Sequence, residues 1–389
     1  MTRNRLFTMQ YLSIISFFLS MCLYGQALFS ALPLYLTGVK GFSESMAGFV
    51  VSIFPYTAML YRPLSVRTTT VVSYKKTILI CLLLMAVSLY IVPFSNSILP
   101  LIIVRLITGV AICLGGVVSG IVLIKILPND RFIEGIGYYS ISTITMSFWG
   151  PAFARFFISI GGYSSFFNIL SIILILNFFW CLFVKFPDNG RKERTSIPSN
   201  TKPWYESTVF PIVLVLGLII LAHSSISSFL PLYAQTNGIQ SIPLFYILAG
   251  ISMVSIRIKY SLTKKKGIDQ SYLLLSTGLM AICLFLVLTF RSTYILIVTA
   301  LVYGASLGYA QPVLISTALN ISPPDRVNSA TVTYYIAIDA GLAVGSMLWG
   351  FIGQYLEYYY VFLVSGSINV LALFLILHYR RTKVIVNYS

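Results

Sequence analysis

The chain has 389 residues, 58% of them hydrophobic and only 9% charged, with a mean hydropathy of +0.89. Soluble domains average roughly 45–50% apolar and about 25% charged residues, so a water-soluble protein is excluded. A formal net charge of +16 invites a nucleic-acid reading, but the basic residues fall in short clusters between apolar runs and build no basic domain or arm.

Twelve apolar runs approach the roughly 20 residues that a membrane span needs. The first six are Met9–Leu36, Met46–Ser65, Thr77–Pro93, Leu99–Leu127, Glu134–Ile160 and Tyr163–Val184. Arg3 and Arg5 precede the first run as in a signal peptide, yet the run extends well past the roughly 7–15 residues of a cleaved signal core, so it is expected to stay in place. The other six are Thr208–Tyr233, Ile242–Ile258, Ser271–Phe290, Thr293–Leu319, Asn328–Tyr355 and Tyr358–Tyr379. With both termini inside, 22 of the 26 Lys and Arg fall on inner segments, two (Lys40 and Arg291) outside, and two (Arg105 and Arg155) within spans. That bias predicts cytoplasmic termini. Residues 185–207 are polar, basic and proline-bearing and are expected to form a cytoplasmic linker between six-helix bundles at 1–184 and 208–389.

A weak repeat supports two halves. Phe29–Leu36 (FSALPLYL) ends the first span and Ser228–Ala234 (SFLPLYA) ends the seventh. Asn129-Asp130-Arg131 precedes the fifth span, and Pro324-Asp325-Arg326 precedes the eleventh 195 residues later. On that offset Gly109 meets Gly304 and Gly150 meets Gly345. Paired halves around a midplane site are a recurring plan for secondary transporters.

Ionisable residues inside spans are costly and mark candidate sites. Arg105 lies roughly 9 Å into the fourth span at 1.5 Å per residue, where it either snorkels to headgroups or faces a central cavity. Arg155 lies near the outer end of the fifth span, with snorkelling, an interhelical bond or a substrate contact as the readings. Asp339 is roughly 16 Å into the eleventh span; so short a side chain cannot snorkel, which leaves a structural ion pair or a proton-coupling or substrate-binding carboxylate. Gln26, His223 and Gln311 are interhelical hydrogen-bonding groups or cavity polar groups, and His223 is of a type that titrates near neutral pH. Tyr335 is a candidate aromatic wall. The five cysteines, Cys22, Cys81, Cys113, Cys181 and Cys283, sit in apolar runs with neither zinc-site nor disulfide spacing. No metal site, cofactor or ATP site is expected.

Three local patterns resemble the Major Facilitator Superfamily. Arg62–Leu79 (RPLSVRTTTVVSYKKTIL) follows the basic loop motif at Arg62, Arg67 and Lys75 but has Val66, Thr70 and Ser73 where glycine, aspartate and glycine are expected. Arg257–Gly267 looks like a second degraded copy. Arg105–Gly116 (RLITGVAICLGG) places Gly109 one turn after Arg105, on the same helix face. Ser147–Phe156 (SFWGPAFARF) carries the Gly150-Pro151 pair associated with antiporters.

The resemblance implies an all-α membrane protein of twelve transmembrane helices in two pseudo-symmetric bundles. It implies cavity-lining spans one, four, seven and ten, which carry Gln26, Arg105, His223 and Gln311. It further implies a monomeric, proton-coupled exporter in the bacterial cytoplasmic membrane, with protons and a small-molecule substrate as partners. Two intramembrane arginines against one acid favour a carboxylate-bearing metabolite, among which opine-type metallophores are one subgroup. Alternatives are a multidrug pump for neutral or cationic drugs, an integral-membrane transferase and a transporter-like sensor.

Overall fold

The computed structural model describes residues 6–128, 131–187, 204–239, 241–262, 270–289 and 292–381. All regular structure among these residues is helical. In chain order the helices are α1 (Met9–Gly38), α2 (Glu44–Val71), α3 (Tyr74–Phe94), α4 (Ile98–Ile126), α5 (Phe132–Phe183), α6 (Phe210–Ser224), α7 (Leu230–Thr236), α8 (Ile242–Leu262), α9 (Gln270–Leu286), α10 (Thr293–Ile321), α11 (Val327–Leu356) and α12 (Tyr358–Arg381).

Ten segments among the described residues are long and apolar enough to cross a membrane. One of them, Thr145–Phe183, holds two of the expected spans, because α5 bends at Gly161–Gly162. Gly162 has φ 69° and ψ −170°, a conformation open essentially to glycine alone, so one helix ends and the next begins there without an intervening loop. α2 matches the second expected span, but its Glu44, Arg62 and Arg67 leave it too polar to rank among the ten.

The seventh expected span, Thr208–Tyr233, is not one regular helix. Between α6 and α7, Ser225–Phe229 form a turn of π-helix. The Leu230 N–H donates to the Ser225 carbonyl, so the Ile226 carbonyl loses its helical donor and accepts from the Tyr246 hydroxyl at 2.7 Å. Pro231, without an N–H, follows directly. Such wide turns tend to sit at functional sites.

Residue contacts divide the chain into two compact units. The first comprises Met1–Leu28 and Tyr56–Lys202, the second Phe29–Pro55 and Pro203–Ser389. The expected linker falls mostly at 188–203, outside the described residues.

In the first unit α3 packs against both α4 and α5. Ser73 separates α2 from α3 and caps the latter, its side chain accepting from the Lys76 N–H. α1 and α5 meet at Gly150, where an added Cβ would lie 2.6 Å from the Gln26 Cβ and 2.9 Å from the Ala27 nitrogen.

In the second unit α8 packs on α10, α6 on α11 and α9 on α12. There the start of α2 is seated on the end of α11. A Cβ on Gly48 would approach the Ser346 carbonyl oxygen to 2.5 Å and the Gly350 Cα to 2.9 Å. Ser45 extends this seam by donating its N–H to Gln354 Oε1 at 3.0 Å. Only paired glycines allow backbones so close.

Candidate functional site

The residues expected to matter separate into three polar clusters, each inside one unit. In the first unit Arg105 is 1% exposed. It hydrogen-bonds the Tyr24 hydroxyl, which also meets Ser88 Oγ at 2.7 Å and the Thr108 side chain. α4 therefore turns its arginine onto Tyr24 of α1, whose hydroxyl offsets part of its desolvation and is itself held by Ser88 of α3. Gly109, buried one turn on, belongs to the same packed face of α4. Arg155 on α5 is half-buried, and no described residue pairs with it. Gln26 is half-buried on α1 against Gly150, and Pro151 is buried beside it.

The basic motif is partly helical. α2 runs on to Val71, so Arg62 lies within it, half-buried. Lys75 Nζ donates to the Leu182 carbonyl at 2.6 Å, tying the start of α3 to the end of α5. The Arg67 side chain lies outside the described residues.

The second cluster surrounds the π-turn. His223 is 6% exposed. Its Nδ1 meets Tyr303 Oη at 2.9 Å and its Nε2 meets Ser227 Oγ at 3.1 Å. Both ring nitrogens are thus engaged, and α10 and the π-turn fix the ring plane. Trp349 Nε1 donates to Ser224 Oγ at 2.8 Å, joining α11 to this cluster. Asp339, buried on α11, is 8% exposed.

The third cluster was not anticipated. Arg257, assigned from sequence to an inner loop, lies inside α8, within the apolar segment Ile242–Lys259. Its Nη2 donates to Gln311 Oε1 at 2.7 Å. The Gln311 backbone carbonyl accepts from Tyr334 Oη at 3.1 Å, and Tyr335 on the same turn is 43% exposed. The basic run that follows, Lys259 to Lys266, hid this residue. One available signal was that Arg257 stands only 15 positions after Ile242, short of the roughly 20 a span needs.

The profile of the Major Facilitator Superfamily matches residues 12–268 and 261–387. The Staphylopine export protein of Staphylococcus aureus (strain Mu50 / ATCC 700699) is 23% identical over 346 residues, covering 85% of this chain and 86% of that protein. Among solved structures, the inward-open xylose transporter XylE from E. coli superposes with a TM-score of 0.75 at 15% identity, covering 98% of this chain and 97% of that one. The nucleoside transporter NupG gives a TM-score of 0.73 at 15% identity, with coverages of 95% and 98%. The human organic anion transporter MFSD10 gives 0.63 at 16% identity, with coverages of 95% and 99%. These likenesses show the fold.

Proposed function

The chain belongs to the Major Facilitator Superfamily, and from that membership we propose that this multi-pass transporter exports a carboxylate-bearing metabolite from the cytoplasm in exchange for protons. The likeness to the staphylopine exporter over 85% of the chain carries the reading. Charge supports it: guanidiniums at Arg105, Arg155 and Arg257 lie within the expected spans, against Asp339, the acid placed away from a span's end. An excess of intramembrane positive charge attracts an organic anion and repels a cationic drug.

The transporter works by alternating access, its substrate site opening in turn to each side of the membrane. Gln26, Arg105, Arg155, His223, Gln311 and Tyr335 supply its polar and aromatic lining. Arg62, Arg67, Lys75, Gly109, Gly150 and Pro151 serve the rearrangement. Asp339 takes up a proton from outside as cargo leaves and releases it inside as new cargo binds; Arg105 biases that exchange through its charge. His223 holds the π-turn, since both of its ring nitrogens are bound. Both termini lie in the cytoplasm, and the working unit is a monomer.

Inside-out vesicles given external radiolabelled staphylopine under an imposed proton gradient, acid inside, test this. Accumulation that a protonophore abolishes is the expected result. Accumulation of ethidium and other lipophilic cations, with staphylopine left outside, identifies a multidrug pump instead.

A further inference from the structure

Arg257 is held by one arm, with the rest of its guanidinium incompletely bonded. Its Nε is buried and makes no hydrogen bond. Its Nη2 partner is a neutral amide oxygen, Gln311 Oε1, and its titratable neighbours are the phenols of Tyr334 and Tyr335. Among the described residues no carboxylate pairs with it.

An amide oxygen offsets only a fraction of the desolvation of a guanidinium. If packing alone governed this position on α8, Leu or Met would fill it at no electrostatic cost. A positive charge held in an apolar segment without an opposing charge is the arrangement expected where the counter-charge arrives from outside. The guanidinium fork matches both oxygens of a carboxylate. Gln311 fixes one arm of the fork on the α10 side and leaves its own amide NH2 free to donate to the same anion. Tyr334 anchors Gln311 through the backbone carbonyl. Tyr335, 43% exposed, keeps this corner of the second unit in contact with accessible space.

We propose that Arg257, oriented by Gln311 and flanked by Tyr334 and Tyr335, binds a carboxylate of the transported compound. The proposal rests on the exporter reading above and adds the residue that recognises the acid. It requires no described carboxylate to leave the guanidinium before cargo binds.

The test compares the radiolabelled cargo with its methyl esters in inside-out vesicles bearing the wild type, Arg257→Met or Arg257→Lys. The wild type transports the acid in preference to the ester. Arg257→Met loses about tenfold to a hundredfold of acid transport, the equivalent of a charge-assisted hydrogen-bonded pair, and transports the ester as the wild type does. Arg257→Lys falls between the two. Purified in detergent, ligand-free Arg257→Met melts at or above the wild-type temperature, because a half-buried charge with no described counter-charge has been replaced by an apolar chain.

A wild type that treats acid and ester alike refutes the exporter reading of the cargo. A wild type that discriminates, with Arg257→Met discriminating equally, refutes the role of Arg257 alone. Arg257→Met that melts well below the wild type and loses acid and ester transport together also refutes that role, assigning Arg257 to the scaffold.

Discussion

Arg326→Ala is expected to destabilise the second unit through the carboxylate it abandons. Glu206, at the head of α6, is 1% exposed. Its Oε1 accepts from the Thr208 N–H at 3.1 Å and from Thr208 Oγ1 at 2.9 Å. Its Oε2 faces Arg326 Nε at 2.7 Å, and that arginine also donates from Nη2 to the Tyr205 carbonyl at 2.7 Å. The Glu206 N–H donates to Thr333 Oγ1 at 3.0 Å. Tyr205 and Glu206, just ahead of α6, are thereby clamped to Arg326 and to Thr333 in the first turns of α11. Removing one partner of a fully buried pair costs about 3–5 kcal/mol; because the Arg326 side chain is 23% exposed and Thr208 continues to serve one oxygen, about 1–2 kcal/mol is expected here. Glu206→Gln should cost about 2 kcal/mol, and the double variant less than the sum by about 1.5–3 kcal/mol, the coupling of a contacting charged pair.

Acid distinguishes this ion pair from simple packing. The Thr208 N–H, the Thr208 hydroxyl and the Arg326 charge together hold the Glu206 carboxyl below its usual value, against the opposing effect of burial. A depressed carboxylate contributes stability that is complete above its unfolded pKa, about 4.3, and is lost as pH falls through the lower folded value. Without Arg326 the folded value rises, so the acid loss of stability begins at higher pH. Apparent melting temperatures of detergent-purified protein between pH 7 and pH 3 measure both effects. An Arg326→Ala protein that melts within a degree of the wild type, with the same acid limb, would refute the reasoning.

Gly150→Val drives a side chain into the backbone of α1 at Ala27 and into Gln26; overpacking of about 1–3 kcal/mol or more should lower the melting temperature and cut transport, with Gly150→Ala milder on both readouts. Glu357 adopts φ 78° and ψ 158°, a region nearly reserved for glycine, so Glu357→Gly should stabilise by about 1 kcal/mol while Glu357→Ala leaves the melting temperature unchanged. Asp339→Asn should abolish gradient-driven export yet leave cargo exchange across vesicles without a gradient, and exchange lost in parallel would remove Asp339 from the proton step. His223→Gln should leave the pH profile of transport in place, its cost appearing as a lower melting temperature.

Much of the architecture was legible in the sequence because lipid imposes a simple rule: a span must satisfy its own backbone and expose apolar side chains over a fixed length. That rule drew the span limits, and the Gly150-Pro151 pair and the arginine–glycine spacing of the fourth span marked faces that pack closely. Hydropathy was less informative where polarity and helix coexist. It drew the seventh span as regular, although Pro231 and the freed Ile226 carbonyl make a π-turn there. Charge counting also placed Arg257 with the basic inner segment, although it lies within α8 and pairs with Gln311.

The residues named from sequence as site candidates illustrate the boundary between the two kinds of information. Composition and order alone determined that this is a polytopic membrane protein with duplicated halves and rare charges at Arg105, Arg155 and Asp339, because depth along a span is enough to show where a charge is costly. Tertiary structure decided which polar groups meet. It gave Arg105 to Tyr24, His223 to Tyr303 and Ser227, and Arg257 to Gln311. Those pairings depend on helix rotation and on contacts between residues as much as 81 positions apart, such as Tyr24 and Arg105, and a one-dimensional pattern of hydropathy carries neither.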